Sequence, residues 1–183
     1  MAELRTDRLI LRRWHDRDLE PWAAMNADPE VREHLGALLT REQSDASVAR
    51  FEADFDRRGH GWWAVEVRAT GDFVGFAGLD QVEDGMPFTG VEIGWRLARS
   101  AWGRGYATEA ALAVLDHGFD TLALPEVLAV TTAANLRSQA VMHRIGMSRD
   151  PAADFDDPTA PEGLSVLYRI ARGPGSGVAR STA

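Results

Sequence analysis

The stretch VEIGWRLARSAWGRGYATE, residues 91–109, decides how this chain is read. Val91, Ile93, Trp95 and Leu97 alternate with Glu92, Gly94 and Arg96, which is the period of a strand with two unlike faces. After Glu109 come Ala110, Ala111, Leu112, Val114 and Leu115, a density of Ala and Leu that propagates a helix. Gly103 and Gly105 stand where the strand must turn into that helix. Lacking a Cβ, they let the loop take positive φ and let a bulky group approach the backbone. The first turn of a helix offers free N–H groups and a partial positive charge, so an anion binds there. Arg104 adds a full charge. The local reading is a phosphate cradle at a strand-to-helix turn; the competing one is a tight turn that holds helix and strand close. Common phosphate motifs do not fit. There is no G-x-x-x-x-G-K-[ST], and Thr108 occupies the place of the third glycine in G-x-G-x-x-G.

Composition narrows the class. With 183 residues, 45% hydrophobic and 26% charged, the chain reads as one soluble globular domain able to bury its own core. The absence of cysteine excludes disulfides, thiolate zinc sites and a cysteine nucleophile. The opening MAELRTDRLILRRW lacks the apolar centre of a signal peptide, and no run approaches a membrane span. A cytoplasmic protein without a membrane partner is expected. A formal net charge of −8 argues against nucleic-acid binding and suits a cationic or amine substrate. The five histidines are scattered with no H-E-x-x-H pair, so no metal site is expected, and the lack of G-x-S-x-G disfavours a serine hydrolase.

In chain order, residues 8–14 (RLILRRW) read as a first strand and residues 16–27 as a helix. Asp28-Pro29-Glu30 reads as a second helix start, with Asp as N-cap and Pro at the first helical position. Thr40 and Gln43 have capping-box spacing ahead of a helix that carries Val48, Phe51 and Phe55 and ends at Gly59. Residues 62–68 and 73–82 are strands joined by a hairpin turn at 69–72. After the long helix, residues 126–132 form a strand, and Asn135 caps a helix over 136–145 that Gly146 ends. Met147 onward returns to the sheet, and residues 164–170 are the last strand. This order predicts an α/β fold with a mixed sheet. Residues 1–172 make one domain, and the Gly- and Ser-rich stretch 173–183 reads as a disordered tail.

Two stretches carry a family resemblance. ARSAWGRGYATEA, residues 98–110, resembles the pyrophosphate-binding loop [QR]-x-x-G-x-[GA] of the Gcn5-related N-acetyltransferase (GNAT) superfamily, especially the ribosomal-protein N-terminal acetyltransferase branch (RimJ/RimL-type). Ser100 stands at the Gln/Arg position of that pattern. NLRSQAVMHRIGM, residues 135–147, resembles the branch motif N-x-x-S-x-x-[VL]-[ML]-x-[KR]-[LI]-G-[FM] at Asn135, Ser138, Val141, Met142, Arg144, Ile145, Gly146 and Met147. The resemblance runs over residues 4–172. It implies a mostly antiparallel central sheet flanked by helices and splayed at its central strands. It also implies acetyl transfer from acetyl-CoA, a co-substrate, to a primary amine on a small molecule or a protein N-terminus.

The residues follow from the resemblance. The backbone of Ile93, Trp95 and Leu97 would pair with the pantetheine arm like a neighbouring strand. The amides of Gly103, Arg104, Gly105, Tyr106, Ala107 and Thr108 would hold the pyrophosphate. Arg104, with Arg99, Arg137 or Arg144, would add charge. Asn135 and Ser138 would face the pantetheine, although both also suit a plain helix cap. Glu92 is the candidate base, acting through a water; the competing role is an ion pair with a neighbouring arginine. Ser138 and Tyr168 compete as the acid, and a core role suits Tyr168 as well. The segment before the last strand is short, with Ser165 where the branch often carries histidine, which weakens any acceptor contact inferred from it. Two other readings stand beside this one. One is a non-catalytic acyl-CoA-binding regulatory module, and the other a nucleotide-using enzyme, which the missing P-loop lysine disfavours. Monomer and homodimer are both compatible with the sequence.

Overall fold

The computed structural model describes residues 3–158 and 163–173. Among the described residues nine strands form one sheet: β1 Leu4–Arg5, β2 Leu9–Arg12, β3 Trp62–Val67, β4 Phe73–Gln81, β5 Val91–Leu97, β6 Glu126–Thr132, β7 Ser148–Arg149, β8 Phe155–Asp156 and β9 Leu164–Ala171. Four α-helices accompany them among the described residues: α1 Leu19–Asn26, α2 Arg41–Arg58, α3 Tyr106–Asp116 and α4 Leu136–Arg144. The sheet order is β1-β2-β3-β4-β5-β6-β9-β7, with β8 beside β9. Every pairing is antiparallel except β5 with β6. This is the mixed, mostly antiparallel sheet flanked by helices that the sequence predicts. Strands β1 and β8 are two-residue additions that carry too little pattern to be seen in the sequence.

Local chemistry sets the helix ends. Thr40 and Gln43 form the reciprocal cap of α2: Gln43 N donates to Thr40 Oγ1 at 3.2 Å and Thr40 N to Gln43 Oε1 at 2.8 Å. Gly59, in the left-handed region at φ 79°, closes the same helix.

The helix expected to start at Asp28 does not form. Residues 29–34 make turns. Asp28 caps as expected, with Glu30 N donating to its Oδ1 at 2.8 Å, but propagation stops. The Arg32 guanidinium takes the carbonyls of Leu35 and Ala37, both at 2.6 Å, and Leu39 N turns back to Asn26 O at 3.1 Å. The Leu35 and Ala37 carbonyls are thus spent on a side chain, and the Leu39 amide that would bond Leu35 O in a continuing helix is spent on the end of α1. The tail expected from residue 173 lies, past Gly173, outside the described residues.

The two faces of the sheet have separate cores. Leu9, Leu11, Trp63, Leu79, Ile93 and Leu97 pack with Ala110, Ala111 and Val114 of α3. On the opposite face Trp14, Trp22, Phe51 and Phe76 form an aromatic cluster under α1 and α2. Burying each of the larger aliphatic and Phe side chains contributes about 1.5–3 kcal/mol. Strand β5 lies between these cores, and its alternation sends Ile93 and Leu97 to the α3 side while Glu92, Gly94 and Arg96 point toward the aromatic cluster.

Candidate active site

The site begins with a break in the sheet. β5 pairs with β4 along its length, from Gly75↔Leu97 to Gln81↔Val91. Toward β6 it makes a single register pair, Glu92↔Leu128. Beyond that point the two parallel strands separate. Val82 N donates to Gly90 O, and Ala98 N to Val74 O, both at 2.9 Å. Even-numbered residues of β5 therefore bond β4, and the odd-numbered backbone groups of Trp95 and Leu97 turn to the gap. The Leu97 carbonyl is taken by the Trp102 indole at 2.8 Å, which leaves the amides. A cavity of about 820 Å³ occupies this gap.

At one end of the cavity lies the glycine turn. Gly103 and Gly105 have φ of 72° and 80°, and Gly105 is the N-cap of α3. A Cβ on Gly103 would meet nothing within 4 Å, and one on Gly105 only the tip of Arg8, at 3.4 Å. The glycines are required by backbone conformation and open onto free space, as an anion cradle needs. Gly103, Gly105, Tyr106, Ala107 and Thr108 line the cavity. Arg104 does not: its carbonyl accepts from Arg8 Nη1 at 2.9 Å.

A clamp that sequence reasoning missed holds this turn from behind. Glu109 Oε1 accepts from Thr6 Oγ1 at 2.6 Å and from Arg8 N at 2.9 Å, and Oε2 accepts from Arg8 Nε at 2.6 Å. The Arg8 guanidinium also lies 4.9 Å from the Tyr106 ring centroid. Burial pushes the Glu109 carboxyl up, but the bonds from Thr6 and Arg8 outweigh it and hold it below the ordinary 4.5. The partners are a hundred residues apart, so no local pattern could announce them.

Helix α4 forms the opposite wall. Asn135 Oδ1 accepts from Ser138 N at 3.1 Å, and its Nδ2 donates to Thr131 Oγ1 at 2.9 Å. Asn135 is thus a full helix cap that also ties α4 to β6. The Ser138 side chain makes no hydrogen bond among the described residues. Asn135, Arg137, Ser138 and Arg144 line the cavity. The Arg137 guanidinium lies 4.6 Å from the Trp102 ring centroid, which joins the two walls. Arg99 instead pairs with Glu30 at 2.6 Å.

Of the three acid–base candidates, the structure brings two to the cavity. Glu92 and Ser138 line it. Tyr168 does not: it is 1% exposed, with its hydroxyl 3.2 Å from Gln139 Oε1 and 3.3 Å from His143 Nε2. Ser165 is likewise buried, donating to Asp157 Oδ2 at 2.9 Å. Glu92 is partly buried and makes no ion pair among the described residues. Burial, with the charges of Asp80 and Glu83, raises it from 4.5 to about 7.

On the same face of β5 stands Arg96, which also lines the cavity. The sequence marked it only as an alternating residue. Between the two, a Cβ on Gly94 would fall 3.0 Å from the Trp62 ring, so glycine lets that indole close over the strand. Burial and the charge of Arg32 lower the Arg96 guanidinium to about 9, so it keeps its proton at pH 7.

Among the described residues no helix is long and apolar enough to cross a membrane, and no group of three or more His, Asp or Glu is placed to hold a metal.

Comparison with known proteins bears on this geometry. The family model described as Acetyltransferase (GNAT) domain matches residues 8–148. The uncharacterized protein YkkB of Bacillus subtilis (strain 168) is 34% identical over 149 residues, covering 80% of this chain and 85% of the relative. An acetyltransferase from Agrobacterium tumefaciens str. C58 matches with a TM-score of 0.80 at 31% identity, over 94% of this chain and 95% of that one. RimL, a ribosomal L7/L12 alpha-N-protein acetyltransferase solved with coenzyme A, shares the fold at a TM-score of 0.76 and 12% identity, over 93% of this chain and 98% of that one.

Proposed function

The chain belongs to the GNAT acetyltransferase family, and we propose that within it the chain moves the acetyl group of acetyl-CoA to a primary amine by direct attack in a ternary complex. It is an acetyl-CoA-dependent acetyltransferase. The residues fit this co-substrate: a helix N-terminus with two left-handed glycines opens onto free space, and a strand edge turns amides to the same cavity. The amides from Gly103 to Thr108 would hold the diphosphate, and those of Trp95 and Leu97 the pantetheine arm. Bound acetyl-CoA supplies the thioester carbonyl.

The observation that carries the amine acceptor is Glu92. A carboxylate at the fork of the cleft, lining the cavity and without an ion pair, is poised near 7. An amine attacks only as the free base, so its ammonium proton must leave first. Ionised Glu92 accepts that proton, directly or through a water. An α-amine, at about 8, lies close to Glu92 in proton affinity, whereas a lysine amine, at about 10.4, does not. The acceptor this favours is an α-amine, of a small molecule or of a protein N-terminus, or an amine of similar basicity. As the N–C bond forms and the C–S bond breaks, the nitrogen loses a second proton, the departing thiolate takes one up to leave as the CoA thiol, and the Ser138 hydroxyl donates a hydrogen bond to that sulfur.

Motif agreement at residues 135–147 supports placement beside the ribosomal-protein branch. The catalytic unit is residues 1–172, acting as a monomer or homodimer.

The test is thiol release from acetyl-CoA with a panel of α-amines, ω-amines and N-terminal peptides, on the wild type and Glu92→Gln. Amine-dependent release that falls about 100-fold or more in the variant supports the reading. Acetyl-CoA binding with no amine-dependent release across the panel overturns it.

A further inference from the structure

The acceptor half of the cavity contains a cation with no anion of its own. Arg96 Nη1 donates to the Asn26 amide oxygen at 2.7 Å. Its Nε is buried and has no hydrogen-bond partner among the described residues. Its Nη2 makes no hydrogen bond among the described residues either. The guanidinium lies over Trp22 and Phe76, 5.2 and 5.4 Å from their ring centroids, which orients the plane without neutralising it. Of the two acids that line the cavity with Arg96, Glu92 stands four residues away along β5 and makes no ion pair with it among the described residues, and Glu30 is engaged elsewhere. Glu30 pairs with Arg99, and Glu33 with His34 and Arg137. The charge that acts on Arg96 is another cation, Arg32, whose own guanidinium is spent on backbone carbonyls.

The contrast with Arg12 is instructive. Arg12 is a buried guanidinium, and both Asp18 and Glu66 meet it, at 2.6 and 2.8 Å. A buried guanidinium normally has such partners, because an unpaired donor away from water forfeits its solvation. Arg96 departs from this where it lines the cavity, so a bound ligand can supply what is missing.

We propose that the acceptor amine carries a carboxylate, and that the Nε–Nη2 edge of Arg96 receives it while the amine is presented to Glu92. This rests on the amine-acetyltransferase reading above. A guanidinium edge offers two parallel donors that match the two oxygens of a carboxylate. Glu92 and Arg96 sit four residues apart on one face of β5, about 13 Å between their Cα atoms at strand rise. Their side chains enclose the space between them, and Trp62 over Gly94 provides its apolar floor. A free amino acid or a short peptide with a terminal or side-chain carboxylate has this polarity, with amine at one end and anion at the other. In a chain of net charge −8, such a substrate needs a local cation to enter.

The experiment compares matched acceptors that differ only in the anion. The twenty L-amino acids, and dipeptides of Gly, Ala and Phe, are assayed for thiol release beside their carboxamides. Wild type, Arg96→Gln and Arg96→Lys are used, each checked by circular dichroism and for an acetyl-CoA-induced rise in melting temperature. In parallel, N-acetylglycine and N-acetylphenylalanine are titrated against their methylamides by tryptophan fluorescence, since Trp22 and Trp62 flank the site.

The expected result is a wild-type kcat/KM at least tenfold higher for the best carboxylate acceptor than for its amide. That ratio falls to near one in Arg96→Gln and is restored only in part by the non-forked Arg96→Lys. The fluorescence titration should favour the N-acetyl acids over their methylamides. The ratio in the wild type decides even if a variant does not fold. Acetyl-CoA binding with amides and acids used equally overturns the carboxylate assignment alone. So does the absence of any preference in both readouts. Failure of acetyl-CoA to bind overturns the reading beneath it.

Discussion

Replacing Glu92 by glutamine should make the protein more stable and much less active, and the gain should depend on pH. The ionised carboxylate is held in a place that resists charge, which is what raising it from 4.5 to about 7 means. The folded state binds this proton more tightly than the unfolded chain does. Stability is therefore greatest below about 4.5 and is lost progressively as pH rises to 7, after which the loss is complete. At about 1.4 kcal/mol per pH unit, the ionised group costs the fold about 3 kcal/mol at pH 8 and under about 1 kcal/mol at pH 5. Glutamine has the same shape and nothing to ionise. Urea unfolding at the two pH values should show Glu92→Gln more stable by roughly 2–3 kcal/mol at pH 8, or on the order of 5–10 °C in Tm, and nearly level with wild type at pH 5. The kcat/KM of wild type should rise through a limb near pH 7 as Glu92 ionises, and the variant should lose that limb along with about 100-fold or more in rate. A stability difference that is the same at both pH values, or a rate limb near 7 that survives in the variant, refutes the assignment. The carboxylate would then be neither strained by burial nor the group whose ionisation limits turnover.

Four further outcomes follow from the same geometry. Gly105→Ala places a side chain at φ 80°, so it should cost about 1–2 kcal/mol in urea unfolding and weaken acetyl-CoA at least about tenfold by calorimetry. Ser138→Ala should lower kcat about 10- to 100-fold while moving the KM for acetyl-CoA less than about twofold, because the hydroxyl acts on the departing sulfur and not on binding. Glu109→Gln removes a carboxylate whose proton affinity is held below 4.5; that stability is present above 4.5 and fades as pH falls further. The variant should be about 1–3 kcal/mol less stable at pH 7, with the gap closing in acid. Tyr168→Phe should lose about 1 kcal/mol of stability and leave kcat within about twofold, since the hydroxyl meets Gln139 and His143 outside the cavity; a large kcat loss would return Tyr168 to the chemistry.

What the sequence makes legible is what depends on neighbours along the chain. The alternation of residues 91–97, the glycines at 103 and 105, the Thr40–Gln43 cap and the Asn135 cap each act within a few residues, so each is written in a short window. The family's two motifs are windows of the same kind. What stays hidden depends on packing. The failed helix at residues 28–35 has a sound start signal, and it stops because Arg32 folds back on carbonyls farther along, which no propensity records. The Thr6–Arg8–Glu109 clamp joins segments a hundred residues apart. Arg96 looks like any solvent-facing residue of a half-exposed strand until the aromatic face of α1 and β4 closes on it. Tyr168 is the converse: a titratable aromatic in a plausible strand, which the sheet order turns into the core under α4.

The division of labour along β5 follows from strand geometry alone. Successive residues of a strand alternate in backbone direction as well as in side-chain face. Even-numbered residues here bond β4 with their backbone, so their side chains, Glu92 and Arg96, are fixed by a complete ladder on one edge. Odd-numbered residues bond β4 with nothing, and once β6 departs after Glu92↔Leu128 their amides are free to act as a docking edge. One strand thus serves two ligands without conflict, through backbone on one parity and side chains on the other. Gly94 is the only even position without a side chain, and its bareness lets Trp62 lie between the proton acceptor and the cation. The arrangement has no tolerance for a slip: moving β5 by one residue would exchange both sets at once, sending Glu92 and Arg96 toward α3 and turning the wrong amides to the gap. The long, uninterrupted pairing with β4 is what prevents that slip, so the register of β4 with β5 belongs to the function as much as to the fold.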